Sequence, residues 1–238
     1  MAAAETAKAI VKNLFKDFLL ARPVKTPLDF GHNENVIIES VDFTERKKDG
    51  IKVRANTFIR LSKINPEDKK VLASTEISYW DLDGTRDFVF SDFINQFTSF
   101  AAIISAVGGD AEAFEEKVMT DIEGEDDDEI TKYLKKNAKE AQASLVAGFK
   151  AQVEDKIGDK SPLLKCKMVS NKGGYLNPAT EITWILPMDS ELDLAPISAR
   201  EQRVREEGLK ADRKAKPDAT GKAPKGEAKV AKPSLASI

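Results

Sequence analysis

Apolar residues recur at helical spacing at the start of the chain, where Ala7, Ile10, Val11, Leu14, Phe15, Phe18 and Leu19 share one face between lysines. This predicts an amphipathic helix within residues 1–22 that ends before Pro23. Its apolar face is expected to dock on the body of the protein or on another subunit. Past the Pro23 to Pro27 connector the period changes to two. Residues 36–43 are rich in β-formers, and the turn-like Lys47-Lys48-Asp49-Gly50 follows them. A second strand is predicted from Ile51 to about Ile64, Asn65-Pro66-Glu67-Asp68 makes a turn, and residues 71–80 form a third strand. Three strands with short links predict an antiparallel meander.

Helical periodicity then returns. Phe93, Ile94, Phe97, Phe100, Ala101, Ile104 and Val107 make one stripe, with Ser91 as the expected N-cap and Gly108-Gly109 as the stop. More polar helical stretches cover 110–121 and 128–157, and the acidic run 123–129 separates them. That run lacks the alternating ligands and central glycine of a calcium loop, so it reads as a solvated loop and helix start. The helical insert thus spans about 91–157. Strand signals resume over 163–170, Asn171-Lys172-Gly173-Gly174 makes a turn, and residues 181–186 give a fifth strand before Pro187. From Ser198 to the end at residue 238 there are few large apolar residues, and basic side chains exceed acidic ones by about five. A disordered basic tail is expected over 198–238, with helical character near 198–213.

Composition narrows the chemistry. The chain has 238 residues, of which 41% are hydrophobic, enough for a sizeable core. The net charge of -3 hides the uneven distribution just described. His32 is the only histidine and Cys166 the only cysteine, too few to assemble zinc sites, Cys-His dyads or Ser-His-Asp triads. No phosphate-binding glycine fingerprint is present either. The expectation is a non-enzymatic protein without metal or cofactor. A lone cysteine and the lack of a 20-residue apolar run point to the cytoplasm and to no membrane partner.

The second strand carries the strongest functional signal. Lys52, Arg54, Asn56, Phe58 and Arg60 alternate with Ile51, Val53, Ala55, Thr57, Ile59 and Leu61, so one face is apolar and the other basic with an aromatic in its middle. Cations that track phosphates and a flat ring that stacks on bases are what single-stranded nucleic-acid binding requires. A solvated strand face carries the same residue types. In the fourth strand Lys165 and Lys167 alternate with Leu164, Cys166 and Met168, and the next turn adds Lys172 and Tyr175. Two basic strands in one small barrel would form a single groove. Trp80 and Trp184 lie at strand ends, where a tryptophan is more often core than a base platform; Trp80 is the further base-platform candidate.

Asn33-Glu34-Asn35-Val36, Asp49-Gly50 with Asn56-Thr57-Phe58, and residues 163–167 with Lys172-Gly173-Gly174-Tyr175-Leu176 resemble phage-encoded single-stranded DNA-binding proteins of the OB fold. The resemblance covers roughly 30–187. It implies a five-stranded antiparallel Greek-key barrel that coats single-stranded DNA during replication or recombination, without catalysis or a metal. Replication or recombination proteins, and further copies of the chain, are the implied protein partners. Two departures stand out: the helical insert, and an end at Pro233-Ser234-Leu235-Ala236-Ser237-Ile238 instead of an acidic recruiting tail. A virion or assembly component without nucleic-acid activity is the competing reading, since such proteins also combine small β domains, inserted helices and extended tails.

Overall fold

In a computed structural model, the described residues are 26–43, 47–48, 51–52, 55–124, 126–171 and 175–215. The expected N-terminal helix and everything past Ala215 lie outside them. A curled antiparallel sheet and three of the four described helices share one hydrophobic core.

β1 (Gly31–Asp42) is the central strand. Val36 and Ile38 point into the core, as period two requires. Its second half pairs with β4 (Ala55–Ile64) and its first half with β6 (Leu164–Ser170). Register shifts between Asn33 and Val36 and between Ile38 and Ser40 divide the two halves. Asn35, at φ 55°, adopts the left-handed conformation that asparagine tolerates at the first of these. Such bulges bend and twist a strand, and here they let one strand serve two partners in a half-barrel.

The tip of the β1–β4 hairpin carries a short ladder of β2 (Lys47–Lys48) and β3 (Ile51–Lys52). β5 (Val71–Trp80) completes the meander, and its bounds are those the sequence predicts. Thr26 lies along β5, where its carbonyl accepts from the Ser74 N–H at 2.7 Å. The fifth strand predicted over 181–186 is shortened: a 3₁₀ turn takes Ile182–Trp184 and only β8 (Ile185–Pro187) follows it, while an unpredicted short strand, β7 (Leu176–Pro178), precedes it, and both strands pair with β6. Alternation from Glu181 puts Ile182 and Trp184 on one inward face, but the turn buries Trp184 and Ile185 and leaves Ile182 exposed.

The insert forms α1 (Val89–Ala106), α2 (Ala111–Thr120) and α3 (Asp127–Val153). α1 begins before the predicted N-cap Ser91, after Phe88, and has no side-chain cap. Asp110 and Asp126 do cap the next two helices, accepting from the N–H groups of Ala113 and Glu129 at 2.9 Å. Residues 126–129 of the acidic run are exposed and open α3, as expected. α1 packs against β8 and the 3₁₀ turn. An aromatic chain ties insert to sheet: Tyr79 meets Phe100 at 4.9 Å between centroids, Phe100 stacks on Phe149 at 4.2 Å, and Phe149 meets Phe43 at 6.2 Å.

Gly84 lies against α3 so closely that a Cβ there would sit 2.5 Å from the Lys135 carbonyl oxygen. Backbone cannot swing aside as a side chain does. Gly84→Ala is therefore expected to destabilise the protein by about 2 kcal/mol, the usual cost of overpacking. Urea unfolding monitored by circular dichroism measures it, and an unchanged midpoint would show that α3 shifts freely.

The region expected to be a disordered tail begins with α4 (Ala199–Ala215). A strap over 188–198 leads into it. Met188 N–H donates to the Leu163 carbonyl at 2.9 Å, Leu194 is buried, and a Cβ on Gly31 (φ 97°) would lie 2.7 Å from Ile197 Cδ1. Arg205 lies over the Phe30 ring at 5.7 Å. The first part of this segment, where the sequence predicts helical character over 198–213, is thus a helix that is built onto the sheet.

Candidate nucleic-acid interface

β4 and β5 pair so that Phe58 faces Ser78, Arg60 faces Glu76 and Ala55 faces Trp80. Ile59 and Leu61 are fully buried in the core, and Ile77 and Tyr79 join them from β5. The other face carries Phe58, Arg60, Glu76, Ser78 and Trp80. The alternation of the second strand is kept where it is described, but both faces bury residues: Ile59 and Leu61 on one, Phe58 and Ser62 on the other.

The environment of that second face differs from the expected open basic groove. Phe58 is 5% exposed, so it offers no open ring to a base. Arg60 Nη2 pairs with Glu76 Oε2 at 3.3 Å across the ladder. Both side chains are partly exposed, so this pair contributes at most about 1 kcal/mol and yields to a competing phosphate. Trp80, by contrast, is 60% exposed at the end of β5. It is the open aromatic of this face. Lys52 lies in β3 opposite Lys47 in the ladder. The side chains of Lys47 and Lys52, and the whole of Arg54 and Lys172, lie outside the described residues. Tyr175, 74% exposed, is held in its turn by paired bonds: its N–H donates to Asn171 Oδ1 at 3.0 Å, and its carbonyl accepts from the Asn171 N–H at 2.9 Å.

The two lysines of β6 do not join this face. β1 lies between β4 and β6, and both amines are taken up by the C-terminal strap. Lys165 Nζ donates to the Ser190 carbonyl at 3.0 Å. The Lys167 side chain is 1% exposed and its amine meets Glu201 Oε1 at 2.9 Å, Glu181 Oε1 at 3.2 Å and the Pro196 carbonyl at 3.1 Å. Lys167 is therefore a structural cation, because a desolvated amine needs partners and three oxygens supply them. Opposite it on β1, His32 donates from Nε2 to the Ala195 carbonyl at 3.0 Å.

Glu201 does double duty. Its Oε2 accepts from the Ser198 N–H at 2.6 Å while Ser198 Oγ accepts from the Glu201 N–H at 3.2 Å, a capping box at the start of α4. The spacing Ser198-x-x-Glu201 was the sequence signal for this helix start. Burial alone would raise the Glu201 carboxyl, but bonds from the Ser198 N–H and the Lys167 amine hold it below the usual carboxylate range. Burial likewise opposes charge on Lys167, and the two glutamates outweigh it, so its amine is held above the ordinary lysine value. The Glu201 contribution is present above the ordinary carboxylate pKa and lost as pH falls through its depressed value. The Lys167 contribution is present below the ordinary lysine value and lost as pH rises through its raised one. The stability difference between the parent and Glu201→Gln should thus be widest between about pH 5 and 10 and shrink on either side. Urea midpoints across pH measure this, and a pH-independent difference would remove the ion pair from the account.

Cys166 is buried in the core, and burial pushes its thiol up to about 12, which keeps it in the unreactive thiol form. Among the described residues no group of three or more His, Cys, Asp or Glu side chains is placed to hold a metal ion, and no helix is long and apolar enough to cross a membrane.

Comparison of the chain with protein-family models, with curated proteins and with solved structures finds no match in any of the three.

Proposed function

We propose that this protein binds single-stranded DNA through the outer face of β4 and β5, as an OB-type barrel of the phage-encoded kind and without catalysing a reaction. The observation that carries the reading is Trp80: a large flat ring, mostly in solvent, at the end of a strand face that also holds Arg60. Exposed aromatics beside cations let bases stack whatever their identity while phosphates are tracked. Element order supports the fold assignment. A meander of three strands, a helical segment, and a β6 strand returning beside the first strand form a curled antiparallel sheet. In OB folds the face of the second and third strands and the adjoining loops take oligonucleotides. The lysine-bearing β2–β3 tip and the Tyr175 turn occupy such loops. A cytoplasmic role in replication or recombination, alongside the proteins of those processes, follows from this reading.

The competing reading, a virion or assembly component, gains from the pairing of Arg60 with Glu76 and the enclosure of Lys167, which leave fewer free cations than the sequence offers. Titration of the protein with a fluorescein-labelled oligothymidylate at two salt concentrations separates them. Binding that weakens steeply with salt and quenches tryptophan emission supports the proposal, because phosphate contacts release counterions. No binding at low salt would leave the assembly reading ahead.

A further inference from the structure

Two buried glutamines of the helical insert meet the chain where β5 ends. Gln96 of α1 donates from Nε2 to the Trp80 carbonyl at 2.7 Å. Its Oε1 accepts from Gln142 Nε2 of α3 at 3.1 Å, and Gln142 Oε1 accepts from the Leu82 N–H at 2.9 Å. The direction of the chain of bonds is fixed at both ends. A carbonyl can only accept and an amide N–H can only donate, so each glutamine amide has one orientation that satisfies the run. Both side chains are buried, on helix faces otherwise given to core residues such as Phe93, Phe100 and Leu145. A polar group there persists only when its partners are in place.

The sheet ladder is irregular at this point. Register shifts between Ala55 and Thr57, so the Trp80 end of β5 lies beyond an irregularity in its ladder with β4. The glutamines supply backbone partners there, to residue 80 and to residue 82. Exposed side chains on a fixed backbone lose less freedom when a ligand stacks on them, and that preorganisation appears as affinity.

We propose that Gln96 and Gln142 are positioning residues for Trp80, which makes the helical insert a working part of the nucleic-acid site and not only a plug in the core. This rests on the binding reading above. It assigns the insert, which a minimal barrel lacks, the task of holding the stacking platform.

The test uses the full chain, Gln96→Met, Trp80→Ala and the double variant, titrated with a labelled oligothymidylate across salt. Gln96→Met is expected to weaken binding about three- to tenfold, a part of what loss of a stacked base costs, with the salt slope unchanged. In the Trp80→Ala background it should cause no further loss. An unchanged affinity, or an equal loss in both backgrounds, overturns the proposal. Should Gln96→Met fail to fold, Gln142→Met removes the Leu82 contact while sparing the Trp80 bond, and a loss confined to the Trp80-containing background is again expected. Local motion of Trp80, read by fluorescence anisotropy decay in a Trp184→Phe chain without DNA, separates the two layers. If the parent binds no oligonucleotide, the binding reading falls. Faster Trp80 motion in Gln96→Met would then still support positioning, and unchanged motion would overturn it.

Discussion

Ending the chain after Ser198 is expected to lower its unfolding free energy by about 3 kcal/mol, whereas ending it after Ala215 should leave the transition where it was. The first truncation removes Glu201 and leaves the Lys167 amine, enclosed on β6, with one carboxylate instead of two. Removing a partner from a buried ion pair typically costs about 3–5 kcal/mol, because the surviving charge stays desolvated. Glu181 still faces the amine, which holds the effect to the lower end. Loss of α4 also uncovers Phe30, over which Arg205 lies. The sequence past 215 has few apolar residues to bury, so its removal takes little from the folded state. Urea unfolding of the two truncations and of Glu201→Gln gives the comparison. A Ser198 truncation as stable as the parent would show that the strap and α4 rest on the sheet without holding it.

That result would also separate what periodicity can report from what it cannot. Alternation in β4 and β6 places Ile59, Leu61, Leu164, Cys166 and Met168 in the core, and all five are there. It places Lys165 and Lys167 on the opposite face, which is also where they lie. What covers that face was not legible, because the cover is a segment more than 20 residues away in sequence that docks through a charge and a few backbone carbonyls. Low apolar content argues for a disordered tail from residue 198 with helical character over 198–213; the helix is there, and the Ser198-x-x-Glu201 spacing is the local signal for its start. Phe58 shows the same limit in β4: its face was readable and its burial was not. The shortening of the fifth strand by the 3₁₀ turn has another cause. Alternation assumes that the strand path continues, and the 3₁₀ turn breaks it, so that Ile182 is exposed and Ile185 is buried beside Trp184. Gln96 and Gln142 were unreadable for a further reason, since each is explained only by a partner on a different element.

Phe58 and Trp80 now carry opposite expectations, and they decide the proposed function. Phe58→Ala should cost about 3–5 kcal/mol of stability, the usual result of emptying a buried aromatic site, with oligonucleotide affinity changed only as far as the fold loosens. Trp80→Ala should leave stability within about 1 kcal/mol, since most of its ring is already in water. Its effect belongs to binding: loss of a stacking platform removes about 1–3 kcal/mol, or roughly five- to 150-fold in affinity, with the salt slope preserved. Arg60→Ala should do the reverse of the latter, weakening binding with a slope shallower by about one counterion, because a phosphate contact goes with it. Glu76 competes for Arg60 in the free protein, so Glu76→Gln should tighten binding modestly by releasing the guanidinium. Stability and affinity measured on the same preparations keep these signatures apart. A stable Trp80→Ala protein that binds oligothymidylate as tightly as the parent would remove stacking on β5 from the mechanism, and with it the one observation on which the proposed site depends.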